Sequence, residues 1–321
     1  MYKWKIRIGV FLLGLSGVFN VAVAAWPEQP IRMVVSFPPG SGTDNNARFA
    51  AREMSEKLGV PVMVENKPGA NSFIAAETAV KAKPDGYTLF LASNSPVATN
   101  VAMFNQLPYD PVKDLTPLAK LSFGAMGVAV PANSPYSSIE ELVKAGKANP
   151  QKLNYGSGSA SYQIASELFL SMAEMSANHI PYRGASSALT DLAGGQVDFV
   201  FADYGAILPL FSAGKLKVLA VTGNERLPSV PDVPTLQELG YKDYYMVNWT
   251  AAFAPANLPQ DIQEKLSAVL VDIYSSDKAR EFLQQTNWDP FPGNATDLAQ
   301  FQLNEIERWS SAAKRANIPK Q

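Results

Sequence analysis

The sequence has no cysteine and only one histidine among its 321 residues. Without cysteine, the chain cannot form a disulfide, a thiolate nucleophile, an iron–sulfur cluster or a cysteine-ligated zinc site. The single imidazole, His179, excludes any mechanism or metal site that requires two histidines. We therefore expect neither a metal nor a cofactor in this protein.

An excess of charge of either sign is also missing. The chain has 27 basic and 29 acidic residues, and this near balance argues against a nucleic-acid-binding protein, whose phosphate contacts need a basic surplus. Hydrophobic residues make up 47% of the chain, which excludes intrinsic disorder and permits a large core. The length is about twice that of the commonest domain, so we expect two domains.

The start of the chain differs in pattern from the rest. Basic residues between Met1 and Arg7 precede an apolar run from Ile8 to Val18, and Ala22-Val23-Ala24 offers a small-residue cleavage site. This order is typical of a secretory signal peptide, and the apolar run is shorter than the ~20 residues of a membrane anchor. We predict a signal peptide over residues 1–24, cleavage near Ala24 and export to the periplasm. Loss of its three basic residues changes the formal net charge from −2 to −5.

After this leader, strand-like and helix-like segments alternate. The segments between residues 31 and 92 follow a β-α-β-α-β order, which indicates a parallel sheet covered by helices. The alternation restarts after a proline-rich stretch, Pro108–Pro117, and the apolar segment Val247–Ala254 is long enough to cross between halves. The sequence therefore predicts an α/β protein of two halves joined by crossing segments.

A glycine-rich loop follows the first strand and precedes the first helix. Glycine lets the backbone approach a ligand closely, and a helix N-terminus presents unpaired N–H groups at its positive dipole end. This pattern indicates a site for a carboxylate or phosphate, although an ordinary capped turn, with Thr43 or Asp44 as the cap, is the alternative. The candidate binding residues in this loop are Phe37, Pro39, Gly40, Ser41, Gly42, Thr43 and Asp44.

The second half has a matching loop before a helix, and together the two loops indicate a ligand held in a cleft between the halves. The candidates there are Ser157, Gly158, Ser159, Ala160, Ser161 and Tyr162. Ser93, Asn94 and Ser95 lie just beyond a strand end, where open α/β sheets place ligands. Asp203 follows another strand and either accepts a hydrogen bond from the ligand or caps a helix. A further loop, Pro68–Ser72, also opens a helix and is either a binding loop or structural.

Four aromatic residues allow two interpretations. Phe37, Tyr162, Tyr204 and Trp249 either form apolar walls of the cleft or belong to the core.

A catalytic function finds little support in the sequence. No G-x-S-x-G motif is present, and His179, at the start of a short apolar strand, is more typical of a partly buried side chain than of a general base. The loops are suited to binding through backbone amides and hydroxyls, so we predict a protein that is not an enzyme. The alternative is a secreted hydrolase or lyase on a two-lobed scaffold, which would need a nucleophile and a base in the cleft.

Motifs in a fixed order across nearly the whole mature chain resemble the Bug family, the periplasmic solute receptors of tripartite tricarboxylate transporters. They are Trp26-Pro27, Pro30–Arg32, Phe37–Asp44, Val64–Ala70, Lys83–Leu89, Tyr109–Pro111, Lys113–Leu115, Leu192–Asp198, Pro231–Thr235 and Phe253–Ala256. One departure is visible: many members have a longer Gly/Ser loop and a histidine before the second-lobe helix, where this chain has Tyr162-Gln163.

The resemblance implies a type II periplasmic binding protein, a Venus flytrap of two α/β lobes. Lobe 1 would comprise residues 25–123 and 251–321, and lobe 2 residues 124–250. It also implies a di- or tricarboxylate or aromatic acid as ligand, held by amides, hydroxyls and ordered waters. The expected partners are this ligand and the membrane subunits of a tripartite tricarboxylate transporter. We expect a monomer that binds no nucleic acid.

Overall fold

The structure is a computed structural model and describes residues 26–321, so the predicted signal peptide lies outside the described residues. The strands of this part are β1 (Ile31–Val35), β2 (Val62–Asn66), β3 (Thr88–Ser93), β4 (Leu115–Pro131), β5 (Asn154–Ser157), β6 (Asn178–Pro181), β7 (Phe199–Asp203), β8 (Leu216–Val221), β9 (Val247–Pro255) and β10 (Asp289–Gly293).

Helices alternate with these strands along most of the described chain. They are α1 (Gly42–Leu58), α2 (Phe73–Val80), α3 (Asn100–Met103), α4 (Ile139–Ala148), α5 (Ala160–Met172), α6 (Ala185–Ala193), α7 (Tyr204–Ser212), α8 (Gln260–Ser275), α9 (Asp277–Gln285) and α10 (Ala295–Arg315). Among residues 26–321, none of them has both the length and the apolar composition that a bilayer crossing requires.

The first half of the sheet is parallel where the sequence predicts it. Strand β1 lies between β2 and β3 and pairs with both in parallel. Strand β3 is buried along its whole length because helices cover both faces of a parallel sheet. Strand β9 then pairs antiparallel with β3, and β4 pairs antiparallel with β9.

The second half repeats this arrangement around β5. Strand β5 pairs in parallel with β6 and β7, while β7 and β8 both pair antiparallel with β4. The polypeptide therefore forms two α/β lobes, as the sequence predicts. The residue boundaries of the lobes stay a prediction.

One long strand joins the two lobes. The stretch of β4 from Leu115 to Ala125 pairs with β9, and the stretch from Met126 to Pro131 pairs with β7 and β8. The sequence predicts only residues 127–130 as a strand here, because Pro117 and Gly124 are poor strand formers. Register shifts beside Pro117 accommodate the missing N–H in the longer strand.

A buried carboxylate ties the last helix to the crossing strand β9. Glu305 of α10 accepts hydrogen bonds from the indole nitrogens of Trp249 in β9, at 2.6 Å, and Trp309, at 3.0 Å. Arg308 donates to both oxygens of the same carboxylate, at 2.6 and 2.7 Å. The Glu305 carboxylate therefore accepts hydrogen bonds from three side chains, two on its own helix and one on β9.

We expect Glu305→Ala to lower the free energy of unfolding by about 3 kcal/mol, because two buried indole N–H groups and a guanidinium lose their acceptor. The exposed Glu307 on the same helix provides a matched control, and Glu307→Ala should change stability by no more than about 0.5 kcal/mol. Urea unfolding measures both variants. Equal unfolding midpoints would contradict the assigned role of Glu305.

Candidate functional site

Ser41 caps helix α1 at the end of the first glycine loop. Its hydroxyl accepts a hydrogen bond from the backbone N–H of Asp44 at 3.1 Å, and the helix begins at Gly42. The alternative considered from the sequence, a turn capped by Thr43 or Asp44, therefore names the wrong capping residue. Ser41 caps because it alone has the extended backbone that lets a side chain turn back onto the first turn.

Asp44 braces the loop from within. Its carboxylate accepts hydrogen bonds from the backbone N–H of Gly40 at 2.9 Å, from Arg48 at 2.9 Å and from Asn66 at 2.8 Å. Burial raises the pKa of Asp44, but the hydrogen bonds from Arg48, Asn66 and Gly40 outweigh it and hold the pKa below its usual value. The carboxylate therefore fixes the shape of the loop that carries Phe37 and Thr43.

The second loop has the same design. Ser159 caps α5 by accepting from the N–H of Tyr162 at 3.4 Å. Gly158 packs so closely against Gly184 that an added Cβ would lie 2.2 Å from a backbone carbon. A side chain at position 158 would thus push this loop away from the loop that follows β6.

Hydroxyl groups connect the two lobes across the cleft. The Oγ atoms of Ser95, beyond β3, and Ser161, on α5, lie 3.2 Å apart, and Ser161 also contacts the Oγ of Ser159 at 2.9 Å. All three residues are buried. The strand-end loop and the second glycine loop therefore meet, as expected for a shared site.

A small inner cavity of about 10 Å³ lies beside these serines, enough for about one water molecule. It is lined by Phe37, Thr43, Ser93, Asn94, Ser159, Ser161, Tyr162, Asp203, Asn248 and Trp288. Neither amide atom of Asn94 has a hydrogen-bond partner, although the residue is only 1% exposed. The amide oxygen of Asn248 is likewise buried without a partner. Such groups are costly unless something polar binds them.

A larger outer cavity of about 250 Å³ adjoins the inner one. Phe37 and Ser159 line both cavities. The outer lining is Ser36, Phe37, Gly69, Asn71, Ser72, Ser95, Gly158, Ser159, Ala160, Pro181, Tyr182 and Arg183. The loop Pro68–Ser72 therefore contributes to the cleft and is not merely structural.

Asp203 is buried and lines the inner cavity. One of its oxygens accepts a hydrogen bond from the side chain of Asn248, and the other would lie 3.1 Å from a Cβ placed on Gly42. Burial raises the pKa of Asp203 to about 6. Its side chain makes no capping bond to α7, so the helix-cap alternative is not what this structure shows.

Eleven of the predicted residues line one cavity or both. They are Phe37, Thr43, Ser93, Asn94, Ser95, Gly158, Ser159, Ala160, Ser161, Tyr162 and Asp203. Six do not: Pro39, Gly40, Ser41, Gly42, Asp44 and Ser157.

Ser157 turns away from the cleft. Its hydroxyl lies 2.6 Å from Nε2 of His179, whose pKa is lowered by burial. This pair has the separation of a nucleophile and a base, but neither side chain lines either cavity. The geometry thus gives no support to a hydrolase acting in the cleft.

The four aromatic residues named above divide between the cleft and the core. Phe37 and Tyr162 line the cleft, whereas Tyr204 is buried in the core and Trp249 packs there against Glu305. Trp288, which no sequence pattern indicates, also lines the cleft and lies in the segment just before β10.

The lining residues outside every predicted loop are Ser36, Pro181, Tyr182, Arg183 and Asn248. Gly69, Asn71 and Ser72 also line the outer cavity, and they belong to the loop Pro68–Ser72, which the sequence offers as a possible binding loop. No motif marks Asn248 or Arg183, because each reaches the cleft through the pairing of distant strands. Within residues 26–321, no cluster of three or more histidine or carboxylate side chains is arranged to hold a metal ion.

Two α/β lobes around a cleft lined by donors from both define a Venus-flytrap binding protein. Residues 46–318 match the model of the tripartite tricarboxylate transporter family receptors. The chain belongs to this receptor family.

Individual comparisons agree with this assignment. A UPF0065 protein of Bordetella pertussis is 35% identical over 304 residues, which span 94% of each chain. An R. palustris protein solved with adipate aligns with a TM-score of 0.89 and 30% identity, covering 92% of this chain and all of the other. The periplasmic binding protein BugD aligns with a TM-score of 0.86 and 29% identity over the same shares.

The raised pKa of Asp203 predicts an unusual pH dependence of stability. Between about pH 4 and pH 6 the folded protein keeps a proton that the unfolded chain releases, so the free energy of unfolding falls as pH rises. We expect Asp203→Asn to remove this decline and to gain up to about 3 kcal/mol over wild type above pH 6. Unfolding midpoints across this range measure the effect, with the exposed Asp232→Asn as control. Parallel curves for wild type and Asp203→Asn would contradict it.

Proposed function

We propose that this protein is a periplasmic receptor that captures a small organic carboxylate and delivers it to a tripartite tricarboxylate transporter. The observation that carries the proposal is the set of buried polar groups in the cleft without protein partners. The amide of Asn94 comes from lobe 1, and the amide oxygen of Asn248 faces the same inner cavity. A carboxylate would accept from the amide nitrogen of Asn94, and a hydroxyl of the ligand or a bound water would donate to the two amide oxygens.

The donors of the site suit an anionic ligand, and Asp203 is the one acidic side chain among the residues that line the two cavities. Two helix N-termini, those of α1 and α5, begin at the edge of the cleft, and the hydroxyls of Thr43, Ser159 and Ser161 line it. Hydrogen bonds to a carboxylate are roughly twice as strong as those between neutral groups. The adipate in the R. palustris structure is a ligand of this chemical class.

Contacts from both lobes would couple binding to closure. A ligand that touches both α1 and α5 binds the closed form better than the open one and shifts the population toward it. We infer that the membrane subunits recognise this closed shape. The boundaries at residues 123–124 and 250–251 are proposed as the hinge, and the receptor is proposed to act as a monomer after removal of residues 1–24.

A thermal-shift screen of the mature protein against mono-, di-, tri- and aromatic carboxylates tests the proposal. A ligand present at 100 times its dissociation constant should add about 2.7 kcal/mol to the free energy of unfolding. The absence of any shift across the whole library would refute carboxylate binding. Uptake of the identified acid, with and without the receptor gene, then tests delivery.

Asn94→Leu should separate binding from folding. We expect it to weaken binding of the best carboxylate about tenfold or more, without lowering the stability of the ligand-free protein, since the Asn94 amide has no partner to lose. Asn46→Leu is the matched control, because Asn46 is buried and donates to the Gly42 carbonyl at 3.0 Å while accepting from Ser122 at 2.9 Å. That variant should lose about 2 kcal/mol of stability.

Calorimetric titration and urea unfolding measure the two quantities. An Asn94→Leu protein that binds as tightly as wild type would show that the Asn94 amide does not contact the bound carboxylate.

A further inference from the structure

Asp203 is an acidic side chain in a cleft whose other polar groups include many donors for an anion. It is the one acid among the residues that line the two cavities, and only 5% of its surface is exposed. Among the described residues, no cationic side chain lines the inner cavity with it, and Arg183, which lines the outer cavity, is exposed to solvent. An anion that enters the cleft therefore meets a buried carboxyl group that no adjacent cation neutralises.

The groups that surround the Asp203 carboxyl are neutral. One oxygen accepts a hydrogen bond from the amide of Asn248 on β9, and the other faces Gly42 at the start of α1. Tyr162 of α5 lines the same cavity, and burial beside Asp203 holds the pKa of its phenol well above the usual value. Burial also raises the pKa of Tyr204 on α7. Both phenols stay protonated at neutral pH, so the carboxyl is the group of the inner cavity whose charge can change there.

The neighbouring elements also carry charged or titratable side chains that lie outside both cavities. They are Asp44 and Arg48 on α1, Lys120 on β4, Glu167 on α5, His179 on β6, Asp191 on α6 and Asp289 in β10. Of the acids on these elements and on β7, Asp203 alone would share a cleft cavity with a bound anion.

A ligand in the outer cavity comes close to Asp203. This cavity, of about 250 Å³, has room for a small acid, whereas the inner cavity has room for about one water molecule. Ser159 lines both cavities, so a carboxylate in contact with Ser159 is separated from Asp203 only by the inner cavity. A single water there would accept a hydrogen bond from a protonated Asp203 and donate one to the carboxylate.

We infer that Asp203 takes up one proton from solvent when a carboxylate binds, and that the resulting neutral acid donates a hydrogen bond toward the ligand. The inference rests on the proposed function, which places a carboxylate in the cleft. Two like charges in one buried site disfavour the ionisation of the second group, and protonation removes their repulsion. Burial already raises the pKa of Asp203 to about 6, and the charge of a bound carboxylate raises this pKa further.

This coupling gives carboxylate affinity a defined pH dependence. Below about pH 6 the free protein already holds the proton, so binding takes up almost none. At higher pH the proton has to be taken up on binding, so affinity falls about tenfold per pH unit until the pH reaches the pKa of Asp203 in the complex. The ligand itself contributes little to this dependence, because carboxylic acids ionise near pH 4.

Calorimetric titration with adipate, succinate and benzoate, in buffers of different ionisation enthalpy, measures the proton uptake directly. Wild type should take up about one proton per bound acid at pH 7 and almost none at pH 5. This measurement needs no substitution, so it tests the inference even if a variant fails to fold.

Asp203→Asn should abolish the uptake and make affinity constant between pH 6 and pH 8, because an amide stays neutral and still donates a hydrogen bond. At pH 8 this variant should bind about tenfold more tightly than wild type, whereas loss of a merely structural group would weaken binding at every pH. Asp232→Asn is the control, since Asp232 is exposed and lies outside both cavities, and it should keep the wild-type uptake.

Three results would overturn the role of Asp203 while leaving carboxylate binding intact. They are binding by wild type without proton uptake at pH 7, uptake that persists in Asp203→Asn, and weaker binding by Asp203→Asn across the whole pH range. Failure of wild type to bind any of these acids between pH 5 and pH 8, together with a negative thermal-shift screen, would refute the proposed function and this inference together.

Discussion

The pairing of β4 with strands from both lobes is the constraint on which the site depends. At the middle of this strand, Gly124 lies opposite Asn248 of β9, and Met126 lies opposite Asp203 of β7. The change of partners therefore brings Asn248 and Asp203 within hydrogen-bond distance. Gly124 also leaves room for the indole of Trp288, since an added Cβ would lie 2.9 Å from the ring. The wall of the cleft that Asn248, Asp203 and Trp288 form is thus built where β4 crosses from one lobe to the other.

Buried polar groups in this protein divide into two kinds. Glu305 and Asp44 have their hydrogen bonds satisfied by neighbouring side chains and backbone, and they hold helices and loops in place. Asn94 and the amide oxygen of Asn248 have no such partners, yet they are equally buried. An unmade hydrogen bond costs about 1–3 kcal/mol, so a fold keeps such groups at the expense of its own stability. Among the described residues, four of the seven buried side-chain atoms without a partner belong to Ser36, Asn94 and Asn248, which line the cleft.

The sequence predicts the parts of the site that are built from residues adjacent along the chain. A strand, a Gly/Ser loop and a helix follow one another in both halves, so Thr43 and Ser159 could be identified from neighbouring residues alone. Trp288, Asn248 and Arg183 could not, because β10, β9 and β6 reach the cleft through pairings that no short pattern encodes. The cap of α1 could not be identified from the sequence for a related reason. Ser41, Thr43 and Asp44 are all good caps, and only the backbone angles choose among them.

Under the proposed function, we infer that the ligand supplies part of the energy that closes the cleft. The contact between Ser95 and Ser161 joins neutral hydroxyls, and such a bond contributes only about 1 kcal/mol in net terms. The net negative charge gives no general attraction for an anion, so local donors must supply it. Each bond from those donors to a carboxylate is roughly twice as strong as the neutral contact between Ser95 and Ser161. We infer that a ligand able to complete some of the hydrogen bonds that the cleft leaves unmade shifts the receptor further toward its closed form.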